Sequence, residues 1–97
     1  MITVIDLIAA EHIHVRGNPA YISVVTTNDI RLDSSEIGFV LPKRGMQEEG
    51  IYAQSGIIHP GWSGRISVVL MVWGETRIIP GDKVAHAVIL TLEGGEQ

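Results

Sequence analysis

The apolar stretches of this chain are short, and turn-forming residues separate them. Glycine, proline, asparagine or aspartate interrupts the apolar pattern about every eight to twelve residues, a spacing typical of an all-β sandwich or barrel. We predict strands at residues 3–7, 12–15, 21–26, 36–41, 50–53, 64–73, 76–79 and 83–92. We predict turns at residues 17–19, 28–29, 43–45, 60–61, 73–75 and 80–82, where proline fixes φ or another residue tolerates a positive φ. Only Met46–Glu49 favours a helical turn.

The size and charge of the chain argue against several classes of protein. Its 97 residues can bury one modest core, so we expect a single domain over residues 1–97. The net charge of -4 repels polyanions, which argues against a nucleic-acid partner. No apolar run approaches the ~18 residues of a membrane span, and the first residues lack the basic segment of a signal peptide. We therefore expect a cytoplasmic protein without a membrane partner. The absence of cysteine excludes disulfides, thiol catalysis and cysteine-ligated zinc.

Two of the predicted strands carry apolar side chains on both faces. Within residues 65–73 the even-numbered positions are all apolar, whereas the odd-numbered positions change from Arg65 to Val69 and Trp73. Residues 84–90 repeat this arrangement. A sandwich of this size cannot cover two apolar faces on every long strand. We therefore expect the chain to associate with copies of itself.

Four short motifs occur in order along the chain. They are Asp-Leu-Ile-Ala at residues 6–9, Pro-Lys-Arg-Gly-Met at 42–46, Gly-Ile-Ile-His-Pro-Gly-Trp-Ser-Gly at 56–64, and Gly-Asp-Lys-Val-Ala-His at 81–86. Together they resemble the motifs of the trimeric dUTPase and dCTP deaminase superfamily, over about residues 5–92. The resemblance implies a distorted jelly-roll β-barrel of short antiparallel strands, assembled as a homotrimer with nucleotide sites between subunits.

The resemblance implies that residues 56–64 form a hairpin that accepts the base and sugar of a pyrimidine deoxynucleotide. The expected nucleotide-binding residues here are Gly56, Ile58, Trp62 and Gly64. The glycines would let the backbone approach the base, and the Trp62 ring would pack beneath the deoxyribose. The alternative is that Trp62 only covers the turn and packs at a subunit boundary.

Lys43, Arg44 and Gly45 lie where the family has the arginine, serine and glycine of its phosphate loop. Two cations beside a glycine can hold phosphate oxygens, although lysine lacks the planar fork of arginine. Glu48 and Glu49 follow at once and partly cancel the positive field. The segment is therefore either a nucleotide-binding loop or a solvated charged loop.

Asp6 matches the acid of the family's first motif, which helps to hold Mg2+ on the triphosphate through water molecules. We expect Mg2+ only together with a bound nucleotide, and no other cofactor. His12 and His14 share one face of a predicted strand, but no third metal ligand accompanies them. His86 replaces the glutamine of the family's last strand, and we expect it to make a buried hydrogen bond.

The catalytic position of the family carries His59, where active dUTPases have an aspartate that orients the attacking water. A neutral imidazole offers one acceptor and acts as a base only in the right tautomer. The glutamate that the deaminases need is absent from residues 66–72. The arginine-bearing arm of dUTPases would follow Leu92, where residues 93–97 are too few to supply it.

Three functions remain open on these grounds, because a fold does not by itself define an activity. The first, which the sequence favours, is a catalytically degenerate homotrimer that serves as a nucleotide-binding, regulatory or structural module. The second is a minimal Mg2+-dependent dUTP diphosphatase in which His59 positions the water. The third is a purely structural trimer that needs no pocket.

Overall fold

The computed structural model describes residues 1–92 and folds them into two antiparallel β-sheets. In chain order the strands are β1 (Ile2–Ile8), β2 (Ile13–Arg31), β3 (Glu36–Pro42), β4 (Ile51–Ala53), β5 (Gly56–Ile58), β6 (Ser63–Ile78) and β7 (Lys83–Thr91). One sheet has the order β1-β7-β3-β5, and the other has the order β2-β6-β4. A short 3₁₀ helix at Met46–Glu49 confirms the predicted helical turn. The expected jelly-roll-like all-β fold is confirmed.

The core contains the inward faces of both sheets. The even-numbered side chains of β6 from Ile66 to Val72 are at most 5% exposed, as the alternating pattern predicts. Leu7 and Ala87 are fully buried on the four-stranded sheet, and Val24 is fully buried on β2. Apolar burial of this kind is the main favourable contribution to folding. It also fixes which side of each strand faces solvent.

The predicted breaks at residues 17–19, 28–29 and 73–75 are wrong, because β2 and β6 continue through them. These two strands have 19 and 16 residues and pair antiparallel along most of their length, which gives the molecule an extent of 50 × 21 × 17 Å. The register shifts between Gly17 and Ala20 and again between Val25 and Asp29. Gly74, with φ +85°, lies opposite Gly17. Irregularities of this kind absorb the turn-forming residues without ending the strand.

The segment 56–64 is not the hairpin that the family resemblance implied. β5 pairs with β3 in one sheet, whereas β6 pairs with β2 and β4 in the other. The turn between them therefore crosses from one sheet to the other. Main-chain hydrogen bonds hold it against the loop after β2, from Gly61 N to Asp33 O at 3.1 Å and from Leu32 N to Trp62 O at 2.8 Å.

The outer faces of both sheets carry apolar side chains. On the four-stranded sheet, one row crosses all four strands through the paired residues Val4, Val88, Phe39 and Ile57. Val4 and Ile57, at its ends, are 62% and 58% exposed. On the three-stranded sheet, Tyr21, Met71 and Tyr52 form a similar row, and Val69 and Trp73 are exposed beside it. Residues 1–92 include no helix of the length and apolarity that a membrane span requires.

Candidate functional site

A polar cavity of about 450 Å³ opens beside the loop that follows β3. Lys43, Arg44 and Gly45 line it, so the structure brings the predicted phosphate loop to a cavity. Arg77 at the end of β6 and Lys83 at the start of β7 also line it. Gly45 has φ +93° and ψ -15°, the left-handed conformation that leads the loop into the 3₁₀ helix.

The charges around this cavity are partly compensated. Nζ of Lys83 lies 3.2 Å from Oδ2 of Asp6. The Asp82 carboxylate accepts a hydrogen bond from Ile79 N at 3.0 Å, so it is occupied in closing the turn before β7. Glu48 and Glu49 are exposed at the rim. The cavity therefore presents individual basic side chains that can bind an anion, rather than a strong overall positive potential.

A second cavity of about 320 Å³ lies at the turn between β5 and β6. The predicted residues Gly56, Ile58 and Trp62 line it together with Arg65 and with the apolar side chains of Val40, Ile57 and Ile66. Ile58 is 4% exposed and forms a rigid apolar wall. Mainly apolar walls with a few polar groups are typical of pockets that accept a flat organic ring.

Trp62 has a defined orientation in this second cavity. Its indole N–H donates to the main-chain oxygen of Gly64 at 3.2 Å. The ring lies 3.9 Å from the position that a Cβ on Gly64 would occupy, and Gly64 has φ +144°. A Cβ at position 64 would make an ordinary van der Waals contact with the ring, so the positive φ rather than the available space favours glycine here. Gly64 does not itself line the cavity but sets the position of the ring that does.

His59 is exposed in the turn and lines neither cavity. Its main-chain oxygen accepts a hydrogen bond from Trp62 N at 3.0 Å. Its imidazole has no hydrogen bond or ion pair with the side chains of residues 1–92, so no carboxylate in this part of its subunit orients it. A histidine that acts as a general base generally needs such a partner to fix its tautomer.

The two sets of predicted binding residues are not brought together within one subunit. The phosphate-loop residues line the polar cavity, and the nucleoside residues line the apolar one. The first cavity is mainly polar and the second mainly apolar. The family resemblance implies nucleotide sites between subunits, and this stays a prediction.

Asp6 does not form a metal site with other residues of the described part of the chain. No cluster of three or more histidine, aspartate or glutamate side chains able to hold a metal occurs within residues 1–92. Asp6 supplies one carboxylate, and its partner is the ammonium group of Lys83. These residues do not form an Mg2+ shell by themselves, and we derive no step that passes through the metal.

The remaining histidines lie outside both cavities. His14 Nε2 is 2.5 Å from Oε2 of Glu75, and Arg16 donates to Oε1 of the same carboxylate at 3.0 Å. The hydrogen bond and charge of His14 hold the pKa of Glu75 below its ordinary value, with a smaller contribution from Arg16. His86 is half-buried rather than buried and lies opposite Asp6 and Leu41 on the outer face of its sheet.

Arg77, Lys83 and Arg65 were not identified as site residues from the sequence. Arg77 occupies an exposed position in an alternating strand pattern, where a charged residue is common. Lys83 belongs to the last motif, which gave a signal for that position but no role. The expected missing arm concerns residues 93–97, which lie outside the described residues.

The chain is a two-sheet jelly-roll protein of the all-β class with two cavities of different polarity. A family model described as dUTPase matches residues 4–94. The chain therefore belongs to the dUTPase family.

Solved structures of dUTPases have the same fold. The native EIAV dUTPase is 22% identical, with a TM-score of 0.77 over 100% of this chain and 93% of that one. A variant of the Staphylococcus bacteriophage 80alpha dUTPase with dUpNHpp is 13% identical, with a TM-score of 0.79 over 100% of this chain and 94% of that one. A variant of the dUTPase from phage phi11 of S. aureus, described with a structural Mg(II) ion, is 14% identical, with a TM-score of 0.78 over 100% and 94%. No curated protein matches the chain in sequence.

Proposed function

We propose that this protein is a homotrimer that binds a pyrimidine deoxynucleotide between subunits and has lost most or all of its capacity to hydrolyse it. The observation that carries the proposal is the division of the predicted ligand contacts between two cavities. Lys43 and Arg44 line the polar cavity, and Ile58 and Trp62 line the apolar one. Phosphates would occupy the first cavity, and the base and sugar would occupy the second cavity of a neighbouring subunit.

The outer sheet faces support self-association. A row of apolar side chains crosses the four-stranded sheet from Val4 to Ile57, and both end residues are more than half exposed. A neighbouring row joins Ile2, Leu90 and Ile37. Contiguous apolar surface of this kind marks an interface more often than scattered apolar residues do. We assign the subunit contact to this four-stranded face.

The environment of His59 supports the loss of hydrolysis. Hydrolysis of dUTP to dUMP and pyrophosphate by attack of water requires a group that holds the water in line and removes its proton. His59 is exposed, and its imidazole has no partner in the described part of its subunit. It therefore lacks both the permanent charge of the family's aspartate and a group that would fix its tautomer.

Family membership favours a second candidate, an active dUTP diphosphatase that releases dUMP and pyrophosphate. In this candidate Mg2+ would accompany the triphosphate, with Asp6 as the carboxylate that the family resemblance assigns to it, and His59 would position the water. A steady-state assay separates the two candidates. The purified protein is incubated with dUTP and Mg2+, and pyrophosphate release is measured beside His59→Asp and His59→Ala variants.

We expect no release above the blank from the wild-type protein, and measurable release from His59→Asp if the rest of the site is intact. Turnover by the wild-type protein that His59→Ala abolishes would refute the degenerate site and establish the diphosphatase. Turnover that His59→Ala leaves unchanged would refute any role of His59 and would also contradict the proposal.

Ligand binding is tested separately from turnover. A ligand held only by the native state raises the apparent stability by RT ln(1 + [L]/Kd), which is about 2.7 kcal/mol at a hundredfold excess over Kd. Thermal unfolding with dUTP, dUDP and dCTP, each with Mg2+ and with EDTA, should show stabilisation by at least one deoxynucleotide. Unchanged unfolding with all three would refute nucleotide binding and favour the purely structural trimer.

A matched pair of variants tests the assembly. Val4→Glu places a charge in the apolar row of the four-stranded face, and Val69→Glu places the same charge on the outer face of the other sheet. Sedimentation of the wild-type protein should give three subunits, and Val4→Glu but not Val69→Glu should dissociate them. A monomeric wild type would refute the assembly, and the reverse pattern would move the interface to the other sheet.

A further inference from the structure

Within residues 1–92, three basic residues at the polar cavity form no ion pair. The chain has seven lysines and arginines, and in the described part three of them form ion pairs: Arg16 with Glu75, Arg65 with Asp29, and Lys83 with Asp6. Within residues 1–92 the other four form none within 4 Å. They are Lys43, Arg44, Arg77 and Arg31, and the first three line the same cavity. Arg31 lines a different one.

The pairing of β2 with β6 explains why Arg77 forms no ion pair within residues 1–92. The acid nearest to it in sequence is Glu75, whose two carboxylate oxygens contact His14 and Arg16. The charge of Arg77 contributes to the lowered pKa of Glu75, but the two side chains form no ion pair. The next residue, Ile78, is 3% exposed and anchors the end of β6 in the core. Alternation along the strand then turns Arg77 away from the core. Arg77 lines the same cavity as the phosphate loop although it belongs to a different structural element.

We propose that Arg77 is a third anion-contacting residue of this cavity, beside Lys43 and Arg44. This inference rests on the proposed nucleotide binding and extends it to a residue outside the resembling motifs. Arg77 lines the same cavity as the loop residues Lys43 and Arg44 but comes from the end of β6. The planar fork of Arg77 binds two phosphate oxygens at once, which Lys43 cannot do.

The volume and charge of the cavity agree with a small anionic ligand. About 450 Å³ lies within the range of small-molecule pockets, which is about 300 to 1,000 Å³. Glu48 and Glu49 at the rim reduce the general attraction for anions. Affinity must then come from direct contacts, and a ligand that reaches three cations gains more from them than a ligand that reaches one.

Inorganic polyphosphates test the inference without the nucleoside. Isothermal titration of the whole protein with tripolyphosphate measures anion binding and is repeated with each variant. Arg77→Gln should weaken tripolyphosphate binding about tenfold, equivalent to about 1.4 kcal/mol. Arg31→Gln is the matched control, because it removes the same charge from an exposed arginine that also lacks an ion pair in the described structure but lies at another cavity. It should change the affinity by less than twofold.

Arg77→Lys should lie between the wild-type protein and Arg77→Gln, because it keeps the charge and loses the fork. Equal affinity of Arg77→Gln and Arg31→Gln for tripolyphosphate would overturn the inference, as would absence of tripolyphosphate binding by the wild-type protein. These failures differ from failure of the proposed function, in which tripolyphosphate binds but dUTP binds no more tightly than tripolyphosphate alone.

Discussion

Replacing Thr26 by valine removes a buried hydroxyl that joins β2 to β6. Thr26 is 0% exposed and lies in the irregular part of β2 between Val25 and Asp29, where the regular ladder to β6 is interrupted. Its hydroxyl donates to Ile66 O at 2.7 Å and accepts from Asn28 N at 3.2 Å. The side chain therefore supplies hydrogen bonds that the interrupted ladder does not.

The cost of this change follows from the two groups that lose their partner. Valine has nearly the same shape as threonine, so no cavity forms. The buried oxygen of Ile66 loses its donor, and the half-buried N–H of Asn28 loses its acceptor. Leaving a buried polar group without a partner costs about 1–3 kcal/mol, and the cost is smaller where water can reach the group. We therefore expect Thr26→Val to lower the free energy of unfolding by about 2–4 kcal/mol.

Urea unfolding followed by tryptophan fluorescence measures this free energy at one fixed protein concentration, because the stability of an oligomer depends on concentration. Thr26→Ser is the control. It keeps the hydroxyl and loses only a methyl group, at a cost of about 1 kcal/mol. A Thr26→Val protein that is as stable as Thr26→Ser, with an unchanged urea dependence, would refute the argument.

Two further predictions concern a glycine and a carboxylate. Gly50 has φ +80°, and a Cβ there would lie 2.7 Å from Trp73 O. Gly45 has a similar φ of +93°, but a Cβ there would meet open space. In urea unfolding, Gly50→Ala should therefore lower the free energy of unfolding more than Gly45→Ala does. The conformational part alone costs about 1–2 kcal/mol at either position, and equal losses would show that the contact with Trp73 O relaxes freely. The pKa of Glu75 is lowered mainly by His14, so His14→Ala should raise it towards its ordinary value in a carboxyl NMR titration, and an unchanged midpoint would contradict the pairing. Because the folded pKa of Glu75 is the lower one, its contribution to stability is present above the unfolded value and is lost as pH falls through the folded value.

Most strands of the fold could be predicted from the sequence because their residues alternate with a period of two. β1, β3, β4 and β7 begin and end within about one residue of the predicted bounds. The continuity of β2 and β6 could not be predicted, since a glycine in a strand interior and a glycine in a turn look alike in sequence. Pairing of Gly17 with Gly74 decides between them, and that pairing joins residues far apart in the chain.

The candidate site was predicted only in part. The motifs marked residues 43–45 and 56–64, and the structure places most of these residues at cavities of the expected polarity. The sequence did not indicate Arg77, because its proposed role depends on the pairing of Glu75 with His14 and Arg16 of β2. That pairing joins residues far apart in the chain. It also did not show that the turn after β5 passes between two sheets.

The amino-acid sequence by itself determined the all-β class, the inward face of β6 and the family, since these depend on local alternation and on short ordered motifs. The tertiary structure alone decided which cations of residues 1–92 form ion pairs, which turn residues lie inside strands, and that the predicted base and phosphate contacts line separate cavities. The physical reason is that charge compensation and strand register depend on residues brought together across the fold. Neither property can be assigned to a residue from its neighbours in the chain.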